Sequence, residues 1–308
     1  MNKNFLESLL RFEISNPNET IAAAVSGGPD SMAMLEWLRA AGAKIVALTI
    51  DHGLRAESAA EAAAVAAHCA KIGVPHTILK WTGAKPTTGV EEAARAARYE
   101  LMTDFCRKNN IGVIATAHHQ DDQIETFWMN LARGSGVYGL SGMREISERD
   151  GMIIFRPLLA TPRSELRAYC DEKNIPYFMD AMNEDEKYLR VRVRKTREDL
   201  GITDDKIALA IENISRARDA LETEAAALAR KLHGEFDAAE LLAAPDEIRF
   251  RALSIALGDE YPLRLEQIKN AFAQLDTGNA KFTLAGKNIR ILNNKIRIWA
   301  EGKNFNEN

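Results

Sequence analysis

The sequence predicts an α/β fold with a doubly wound, mostly parallel sheet, followed by a smaller, mainly helical C-terminal domain. Three observations support this prediction. Short apolar runs alternate with amphipathic segments from residue 20 to residue 155, long helical patterns replace them after about residue 202, and 308 residues are many for a single core. We therefore expect one domain over residues 1–202 and a second over residues 203–308.

Five apolar runs have the character of buried parallel strands, because each is short and uninterrupted. They cover residues 21–25, 44–50, 76–81, 112–116 and 152–155. The segments between them are Ala-rich or have a 3.6-residue period, which predicts helices over residues 31–41, 57–72, 90–109 and 120–131. In such a sheet, ligands bind at the carboxyl ends of the strands.

The pattern changes beyond residue 202. A long Ala-rich segment over residues 204–232 predicts a helix, and two shorter helices are expected over residues 246–257 and 263–275. Short alternating segments then follow, separated by Gly286 and by the Asn293-Asn294 pair at turn positions. They predict a small antiparallel meander over residues 281–285, 288–292 and 295–299.

Apolar residues make up 46% of the chain and charged residues 27%, which is close to the average of soluble domains. These proportions exclude the disordered and collagen-like classes. No apolar run approaches the ~20 residues that span a bilayer, and the first residues lack the apolar stretch of a signal peptide. We therefore expect a cytoplasmic protein with no membrane partner.

The three cysteines, Cys69, Cys106 and Cys170, are far apart in the sequence. Their number is odd, and no Cys-x-x-Cys pair is present. This pattern predicts reduced core residues, and it argues against a disulfide framework or a zinc site.

The first predicted strand leads into a loop of six small or polar residues and then into a helix. The loop consists of Ser26, Gly27, Gly28, Pro29, Asp30 and Ser31. Two glycines allow the backbone to turn sharply and to approach a ligand, and the free N–H groups at the start of the helix attract an anion. The loop therefore predicts a phosphate-binding cradle, whereas a simple capped turn would explain the glycines but not the length of the loop.

The cradle matches neither the kinase-type P-loop pattern nor the Gly-x-Gly-x-x-Gly dinucleotide pattern. Its carboxylate, Asp30, would repel phosphates at short range. A Mg²⁺ ion between Asp30 and the phosphates would remove this repulsion, so the loop predicts a magnesium-dependent nucleotide site.

A second group of titratable residues follows the fourth predicted strand. If the next helix begins at Gln120, then His118, Asp122 and Glu125 are spaced by four and three residues and share one face. These three groups would meet near the cradle. An acidic first helical turn, favoured by the helix dipole, would explain Asp121 and Asp122 but not the preceding pair of histidines.

Two further segments are expected in the same cleft. Residues 51–55 follow the second strand, where nucleotide-binding folds place groups that contact the nucleoside, although an ordinary polar loop fits the sequence as well. Arg95 and Arg98 share a helix face. Glu91 can pair with Arg95 four residues later, whereas Arg98 has no acid at that spacing and is the better candidate for a functional role.

The net charge of −4, from 40 basic and 44 acidic residues, argues against a protein that coats nucleic acid through bulk charge. A nucleic-acid partner would need a local basic patch. One short window supplies it, with Lys187, Arg190, Arg192, Arg194, Lys195 and Arg197. A solvated helix face explains the same charges, and both interpretations stay open.

The Ser-Gly-Gly-x-Asp-Ser loop resembles the motif of the N-type ATP pyrophosphatases. Six further segments resemble, in order and spacing, the tRNA(Ile)-lysidine synthase family: residues 51–55, 94–99, 118–126, 133–140, 156–159 and 180–194. Ala181-Met182 and Val191 depart from the residues that are usual in the family. The resemblance implies an adenine nucleotide alpha hydrolase-like fold, a cytoplasmic ligase, and a reaction that uses ATP, Mg²⁺ and L-lysine.

The activity implied by the resemblance modifies tRNA(Ile) that carries a CAU anticodon. The carbonyl oxygen of the wobble cytidine attacks the α-phosphate of ATP, pyrophosphate leaves, and the lysine amine displaces AMP from C2. Catalytic roles then fall on Asp30, Arg98, His118, Asp122, Glu125 and Arg194. Asp30 would hold Mg²⁺, Arg98 would neutralise phosphate charge, and Asp122 and Glu125 would bind the amine whose proton His118 relays.

Two alternatives remain at this stage. Another tRNA-modifying enzyme of the same superfamily, such as a tRNA thiolase, would use a reactive cysteine or a Cys-x-x-Cys pair, and neither is visible. A non-catalytic ATP sensor would keep the cradle but would not need carboxylates beside the phosphates. The sequence leaves open whether the protein forms a homodimer and how the second domain contacts tRNA.

Overall fold

The computed structural model describes residues 1–16, 18–53, 57–83, 85–179, 201–232, 235–258, 265–275, 281–284 and 286–300. The chain forms two compact units, Met1–Glu212 and Asn213–Asn308. The division falls inside a long helix that begins at Asp204, close to the expected boundary after residue 202. No helix in the described part of the chain is long and apolar enough to cross a membrane.

The first unit contains a six-stranded sheet, and the mostly parallel sheet predicted from the sequence is confirmed. Its strands are β1 (Ile21–Ala24), β2 (Ile45–Asp51), β3 (His76–Lys80), β4 (Val113–Ala115), β5 (Ile146–Arg149) and β6 (Met152–Phe155). The spatial order is β3-β2-β1-β4-β6-β5, and all neighbours are parallel except β5 and β6. The order reverses at β1, so a crevice opens between the carboxyl ends of β1 and β4.

The edge strand β5 is an addition to the five predicted strands. Arg149 pairs with Met152, so β5 and β6 form a hairpin around Asp150 and Gly151, which have φ angles of 52° and 72°. Positive φ at both turn residues is the geometry that matches the twist of a two-residue hairpin, and Asp-Gly is a preferred pair for it. The Asp-Gly pair was therefore the local signal for this strand.

Helices cover both faces of the sheet. They are α1 (Lys3–Ser15), α2 (Pro29–Ala40), α3 (Ser58–Lys71), α4 (Val90–Lys108), α5 (Gln120–Ala132), α6 (Val137–Leu140) and α7 (Arg163–Lys173). The helices predicted from the sequence correspond to α2, α3, α4 and α5, whereas α1, α6 and α7 were not predicted. Asn2 caps α1, because its side-chain oxygen accepts the N–H of Phe5 at 2.9 Å.

Two apolar cores hold the helices on the sheet. On one face, residues of α1, α2 and α7, such as Phe5, Trp37 and Leu166, pack in a core that includes Ile21 and Ala23 of β1. On the other face, α4 packs on Ala22 of β1 and on its neighbours. Successive residues of one strand therefore face opposite cores, as a doubly wound sheet requires. This packing brings the start of α2 and the middle of α4 to opposite sides of the crevice.

The second unit is helical with its own antiparallel sheet. After helix α8 (Asp204–Lys231) come β7 (Glu235–Asp237), α9 (Ala238–Ala243), α10 (Asp246–Leu257), α11 (Leu265–Leu275), β8 (Lys281–Leu284), β9 (Lys287–Leu292) and β10 (Lys295–Ala300). The sheet order is β7-β10-β9-β8, so the predicted meander is present and β7 extends it. Its core includes Phe236, Leu253, Ile289 and Ile296.

Candidate functional site

A cavity of about 450 Å³ lies at the carboxyl ends of β1, β2 and β4. It was expected at this edge of the sheet, because the strand order reverses there. Eight of the residues singled out in the sequence line it: Ser26, Gly28, Pro29, Asp30, Ser31, His52, Arg98 and His118. Asp122 and Glu125 are described but do not line it. The cradle and part of the second titratable group therefore face one cavity.

Hydrogen bonds within the loop fix the shape of the cradle. Ser31 Oγ accepts the N–H of Ser26 at 3.1 Å and donates to the carbonyl oxygen of Gly28 at 3.0 Å. Helix α2 then begins at Pro29, which has no N–H and whose φ suits the first helical position. The remaining N–H groups of the first turn lack partners within the helix, so they are available to an anion.

Glycine is favoured at the two cradle positions for different physical reasons. Gly27 has a φ of +89°, and a Cβ atom there would lie 3.1 Å from a ring carbon of Phe178 and 3.2 Å from Val65. Gly28 has a φ of −73°, and a Cβ atom there would meet only Ser26 Oγ, at 3.7 Å. The fold therefore requires glycine at position 27. At position 28 the missing side chain leaves room at the cavity wall, where a ligand can approach the backbone.

Asp30 lies in the first turn of α2 and faces two cationic groups. Its Oδ2 atom is 3.5 Å from Nε2 of His119 and 3.7 Å from Nε of Arg163. Its Oδ1 atom is buried and has no hydrogen-bond partner among the described residues. A buried carboxylate oxygen without a donor is expected to bind a cation or a ligand group, since leaving it unpaired is costly. This orphaned oxygen fits a Mg²⁺ ligand.

The described residues contain no group of three or more His, Cys, Asp or Glu side chains that could hold a metal by itself. Mg²⁺ rarely needs such a cage, because it commonly binds one or two carboxylates together with phosphates and water. The single carboxylate of Asp30 beside a phosphate cradle therefore suits Mg²⁺ better than it suits a structural metal.

His119 is buried among three carboxylates. In addition to Asp30, it lies 3.7 Å from Asp121 through Nδ1 and 3.6 Å from Asp122 through Nε2. Burial lowers the pKa of His119, but the hydrogen bond with Asp30 and the negative charges of all three acids outweigh burial, so the pKa is raised. Sequence analysis placed the functional role on His118, whereas His119 is the histidine that contacts Asp30.

His118 lines the cavity, as expected. Its Nδ1 atom lies 2.9 Å from Oγ1 of Thr116. Burial lowers the pKa of His118 to about 4, and the charges of Arg156, Arg95 and Arg98 act in the same direction while Asp122 opposes them. The imidazole is therefore neutral at neutral pH, where it can form a hydrogen bond but is a weak base.

The two acids of helix α5 take different positions. Asp122 Oδ2 accepts the backbone N–H of His119 at 3.0 Å, so this carboxylate helps to cap the helix. Glu125 is only 1% exposed. The structure thus brings His118 to the cavity and places Asp122 close to it, whereas Glu125 lies in the interior of the wall. The assignment of the lysine amine to these two acids stays a prediction.

Another side of the cavity, where the sequence predicts contacts with a nucleoside, is formed by β2 and His52. Thr49 Oγ1 donates to the carbonyl oxygen of Val25 at 2.7 Å, which joins β2 to the start of the cradle. His52 lies edge-on to Trp81, with ring centroids 6.0 Å apart. Burial lowers the pKa of His52, and the charge of Arg98 adds to this effect. Arg55, from the same motif, lies outside the described residues.

Arg163 is the main site residue that the sequence analysis missed. It is the first residue of α7, its backbone N–H donates to Asp121 Oδ2 at 2.9 Å, and its side chain lines the cavity beside Asp30. A cation at the start of a helix opposes the helix dipole. Because this position is unfavourable for a cation, an arginine directly after Thr-Pro at a helix start was the sequence signal that could have identified Arg163.

Comparison with known proteins identifies the family of the chain. Residues 1–197 match a model of the PP-loop domain family. Over 90% of its length the chain is 37% identical to the tRNA(Ile)-lysidine synthase of Bradyrhizobium diazoefficiens, 89% of which is covered. Over 91% of its length it is 36% identical to that of Methylobacterium nodulans, 90% of which is covered. The chain belongs to the tRNA(Ile)-lysidine synthase family.

Among solved structures, the fold resembles that of the U34-tRNA thiolase NcsA from Methanococcus maripaludis with its [4Fe-4S] cluster. The TM-score is 0.58 over 71% of this chain and 77% of that chain, at 17% sequence identity. At this identity the likeness concerns the fold alone. It agrees with the adenine nucleotide alpha hydrolase-like fold that the sequence predicted.

Several residues predicted from the family motif lie in the segment from 180 to 200, outside the described residues. Arg194 and the basic cluster of Lys187, Arg190, Arg192, Lys195 and Arg197 lie outside the described residues. Asp180 and Asn183, which flank the departures at Ala181 and Met182, also lie outside them. The described end of this segment is Phe178 and Met179, which form part of the cavity wall. A catalytic role for Arg194 and a tRNA-binding role for the basic cluster stay predictions.

Proposed function

We propose that this member of the family joins L-lysine to C2 of the wobble cytidine in tRNA(Ile) with a CAU anticodon, using ATP and Mg²⁺ and releasing AMP and pyrophosphate. The observation that carries this proposal is the phosphate cradle with Asp30 in its first helical turn, within a chain that matches lysidine synthases over about nine-tenths of its length.

The first half-reaction depends on the cradle. The N–H groups at the start of α2 bind phosphate oxygens, and Arg163 adds a positive charge beside Asp30. Asp30 would hold Mg²⁺, and a metal ion bound there would supply positive charge that neutralises phosphate. Gly28 lets the phosphates approach the backbone. The cytidine oxygen can then attack the α-phosphate.

The second half-reaction requires an unprotonated amine. The side-chain amine of free lysine has a pKa near ~10.4, so it must lose a proton before it attacks C2. Asp122, whose negative charge acts on His118, would attract the ammonium form, whereas binding of the amine by Glu125 stays a prediction because this side chain is only 1% exposed. Neutral His118 can accept a hydrogen bond from the amine at the cavity wall, but its pKa of about 4 makes it a weaker proton acceptor than a carboxylate-paired histidine.

A tRNA thiolase is the alternative from the same superfamily, and the cysteines argue against it. All three are buried and free. Burial raises the pKa of Cys69 and Cys106 to about 11 and that of Cys170 to about 12. The reactive form of cysteine is the thiolate, which is scarce at neutral pH when the pKa is so high.

One incubation tests the proposed function. The protein is mixed with ATP, Mg²⁺, labelled lysine and CAU-anticodon tRNA, and the label that becomes fixed in the tRNA is measured. We expect one lysine per tRNA together with AMP and pyrophosphate, and no incorporation when the wobble cytidine is replaced by uridine. Lysine incorporation into the uridine-containing tRNA, or none into either tRNA, would contradict the proposal.

A further inference from the structure

His119 is buried beside the phosphate cradle but outside the cavity. It is 5% exposed, and it is not among the residues that line the cavity, whereas His118 and Asp30 are. A ligand in the cavity therefore contacts Asp30 and not His119. His119 can thus influence the reaction only through the side chains that it contacts.

The backbone of His119 is fixed on both sides. Its N–H donates to Oδ2 of Asp122 at 3.0 Å, and the residue forms a parallel bridge with Leu158, in the segment that follows β6. The next N–H, that of Gln120, donates to the carbonyl oxygen of Thr161 at 3.0 Å. These bonds attach the start of α5 to the connection between β6 and α7. The imidazole therefore extends from a backbone that has little freedom to move.

The imidazole joins Asp30 to the acids at the start of α5. Nε2 of His119 lies 3.5 Å from Asp30 Oδ2 and 3.6 Å from Asp122 Oδ2, and Nδ1 lies 3.7 Å from Asp121 Oδ2. Asp121 is fixed in turn, because its Oδ2 accepts the backbone N–H of Arg163 at 2.9 Å. One ring therefore connects the cradle helix α2 with the first residues of α5 and α7.

The two carboxylate oxygens of Asp30 differ in their surroundings. Oδ2 faces both His119 Nε2 at 3.5 Å and Arg163 Nε at 3.7 Å. Oδ1 is buried and has no hydrogen-bond partner in the described part of the chain. The last torsion of an aspartate side chain is broad and roughly two-fold, so a carboxylate without such contacts can exchange its two oxygens. The contacts on Oδ2 oppose this rotation and leave Oδ1 as the oxygen that a ligand can use.

A Mg²⁺ site depends on the orientation of its carboxylate. The ion demands near-ideal octahedral geometry and commonly binds one or two carboxylates together with phosphates and water. A carboxylate that binds a metal is itself held by hydrogen bonds, and loss of the partner that holds it typically costs roughly 10- to 100-fold in metal affinity or activity. His119 has the position relative to Asp30 that such a partner needs.

We propose that His119 is a positioning residue that holds Oδ2 of Asp30, so that the carboxylate presents Oδ1 to Mg²⁺. The inference rests on the proposed function, because it takes Asp30 as the metal ligand, and it adds the residue that orients this ligand. His119 then acts on ATP only through Asp30. Arg163, which faces the same oxygen from α7, is the second support.

The test measures metal binding without turnover. Mn²⁺ replaces Mg²⁺, because carboxylate and water ligands suit both ions. The EPR signal of free Mn²⁺ gives the affinity of this ion for the complex of the protein with a non-hydrolysable ATP analogue. Affinity and number of sites are fitted separately. A poorly folding variant therefore lowers the number of sites but not the affinity, and it still gives an answer.

Two substitutions with the same functional group differ in where they place a nitrogen. In His119→Gln the amide nitrogen can reach the position of Nε2, beside Asp30, whereas in His119→Asn it reaches only that of Nδ1, beside Asp121. The control is His68→Asn. His68 is also buried, with Nε2 2.9 Å from Oε1 of Glu36, but neither His68 nor Glu36 is part of the cavity lining.

We expect His119→Asn to weaken Mn²⁺ binding roughly 10- to 100-fold, as for the loss of a partner that holds a metal ligand. His119→Gln should recover most of this loss, and His68→Asn should stay within about twofold of wild type because its change is independent of the site. In an Asp30→Ala background, His119→Asn should have no further effect, since His119 acts only through Asp30. Saturating Mg²⁺ should restore most of the rate of pyrophosphate release in His119→Asn.

Wild-type affinity for Mn²⁺ in His119→Asn, with a lower free energy of unfolding as its only defect, would show that His119 is a structural residue and overturn the proposal. Equal weakening in His119→Asn and His119→Gln would also overturn it, because the position of Nε2 would then not matter. Wild-type affinity in Asp30→Ala would overturn both the inference and the metal-binding part of the proposed function. The titration needs neither lysine nor tRNA, so it decides the role of His119 even if the protein fails to modify tRNA.

Discussion

The two sides of the cavity are built in different ways. The cradle side is a single stretch of six residues, and its binding groups are mostly backbone N–H groups held by the hydrogen bonds of Ser31. The α4 side is lined by Arg98, Tyr99 and Met102 of α4, and Arg149 and Arg156, which come from β5 and from the residue after β6, contact Tyr99 from behind the cavity wall. One side is fixed by local sequence, and the other exists only when distant segments pack together.

The two sides of the cavity should therefore respond differently to mutation. A backbone cradle depends on φ angles and on one carboxylate, so few substitutions there should have large effects. A cluster of arginines shares its charge among several groups, so each substitution should have a moderate effect. Variants on the two sides of the cavity test this contrast.

The largest effect is expected at Asp30. Asp30→Ala removes the carboxylate whose Oδ1 atom is buried without a partner. We expect pyrophosphate release to fall about 100-fold or more, because electrostatic stabilisation of transferred phosphate is worth several kcal/mol. The measurement is ATP- and tRNA-dependent pyrophosphate release.

The matched control for Asp30→Ala is Asp104→Ala, which removes an exposed carboxylate from α4. It should release pyrophosphate at the wild-type rate. If Asp30→Ala retains wild-type pyrophosphate release, Asp30 is not the metal ligand of the cradle.

The next effect distinguishes the two glycines. Gly27→Ala should lower the free energy of unfolding by about 1–3 kcal/mol, because a side chain at a φ of +89° is strained and Phe178 blocks the space. Gly28→Ala should change it by less than about 1 kcal/mol but should weaken ATP binding. Urea unfolding measures the free energy of unfolding of each variant, and titration with ATP measures its affinity for the nucleotide. Equal loss of stability in the two variants would contradict the separate roles of the glycines.

Arg163 connects the cradle to α7 and should have a moderate effect. Arg163→Ala should raise the KM for ATP about 10-fold while changing kcat less, because its charge acts on bound phosphate and on the position of Asp30. Arg163→Lys should recover part of the loss. The control is Arg167→Ala, an exposed arginine one turn later in α7. A fall in kcat with unchanged KM would show that Arg163 acts on the chemical step instead.

The contrast between the two sides also explains what the sequence could and could not reveal. The buried strands and the cradle each occupy a continuous stretch of the sequence, so the sheet was predicted correctly and the loop with Asp30 was placed at the edge where the cavity lies. The metal-binding role of Asp30 stays a prediction. His118 was correctly placed at the cavity, since it directly follows β4. The contact between Asp30 and Arg163 was not predictable in this way, because 133 positions separate two residues that meet only after β6 and α7 have packed.

Helix geometry alone also gave an incomplete account of α5. The spacing of His118, Asp122 and Glu125 placed them on one face, yet only His118 lines the cavity and Glu125 is buried. Spacing determines which residues share a face but not how far that face extends into the interior. The arginines around Tyr99 show the same limitation, since Arg149 and Arg156 come from the β5-β6 hairpin, whose edge strand was not predicted.

The smallest expected effect concerns the pH dependence of stability on the α4 side. The pKa of His118 is about 4 in the folded protein and near ~6.5 when unfolded, so the unfolded chain binds more protons between these values. The stability contributed by neutral His118 is present above about pH 6.5 and is lost as pH falls towards the folded pKa of about 4. The wild-type protein should therefore lose about 1 kcal/mol more than His118→Gln between about pH 7 and pH 5.5.

The measurement is urea unfolding of both proteins at the two pH values. Other titrating groups are common to the two proteins, so the difference between them isolates His118. Removing the charge of Arg98 should raise the pKa of His118, so the extra loss should shrink when the same comparison is made in an Arg98→Gln background. A parallel pH dependence of wild type and His118→Gln would show that the imidazole is not held neutral.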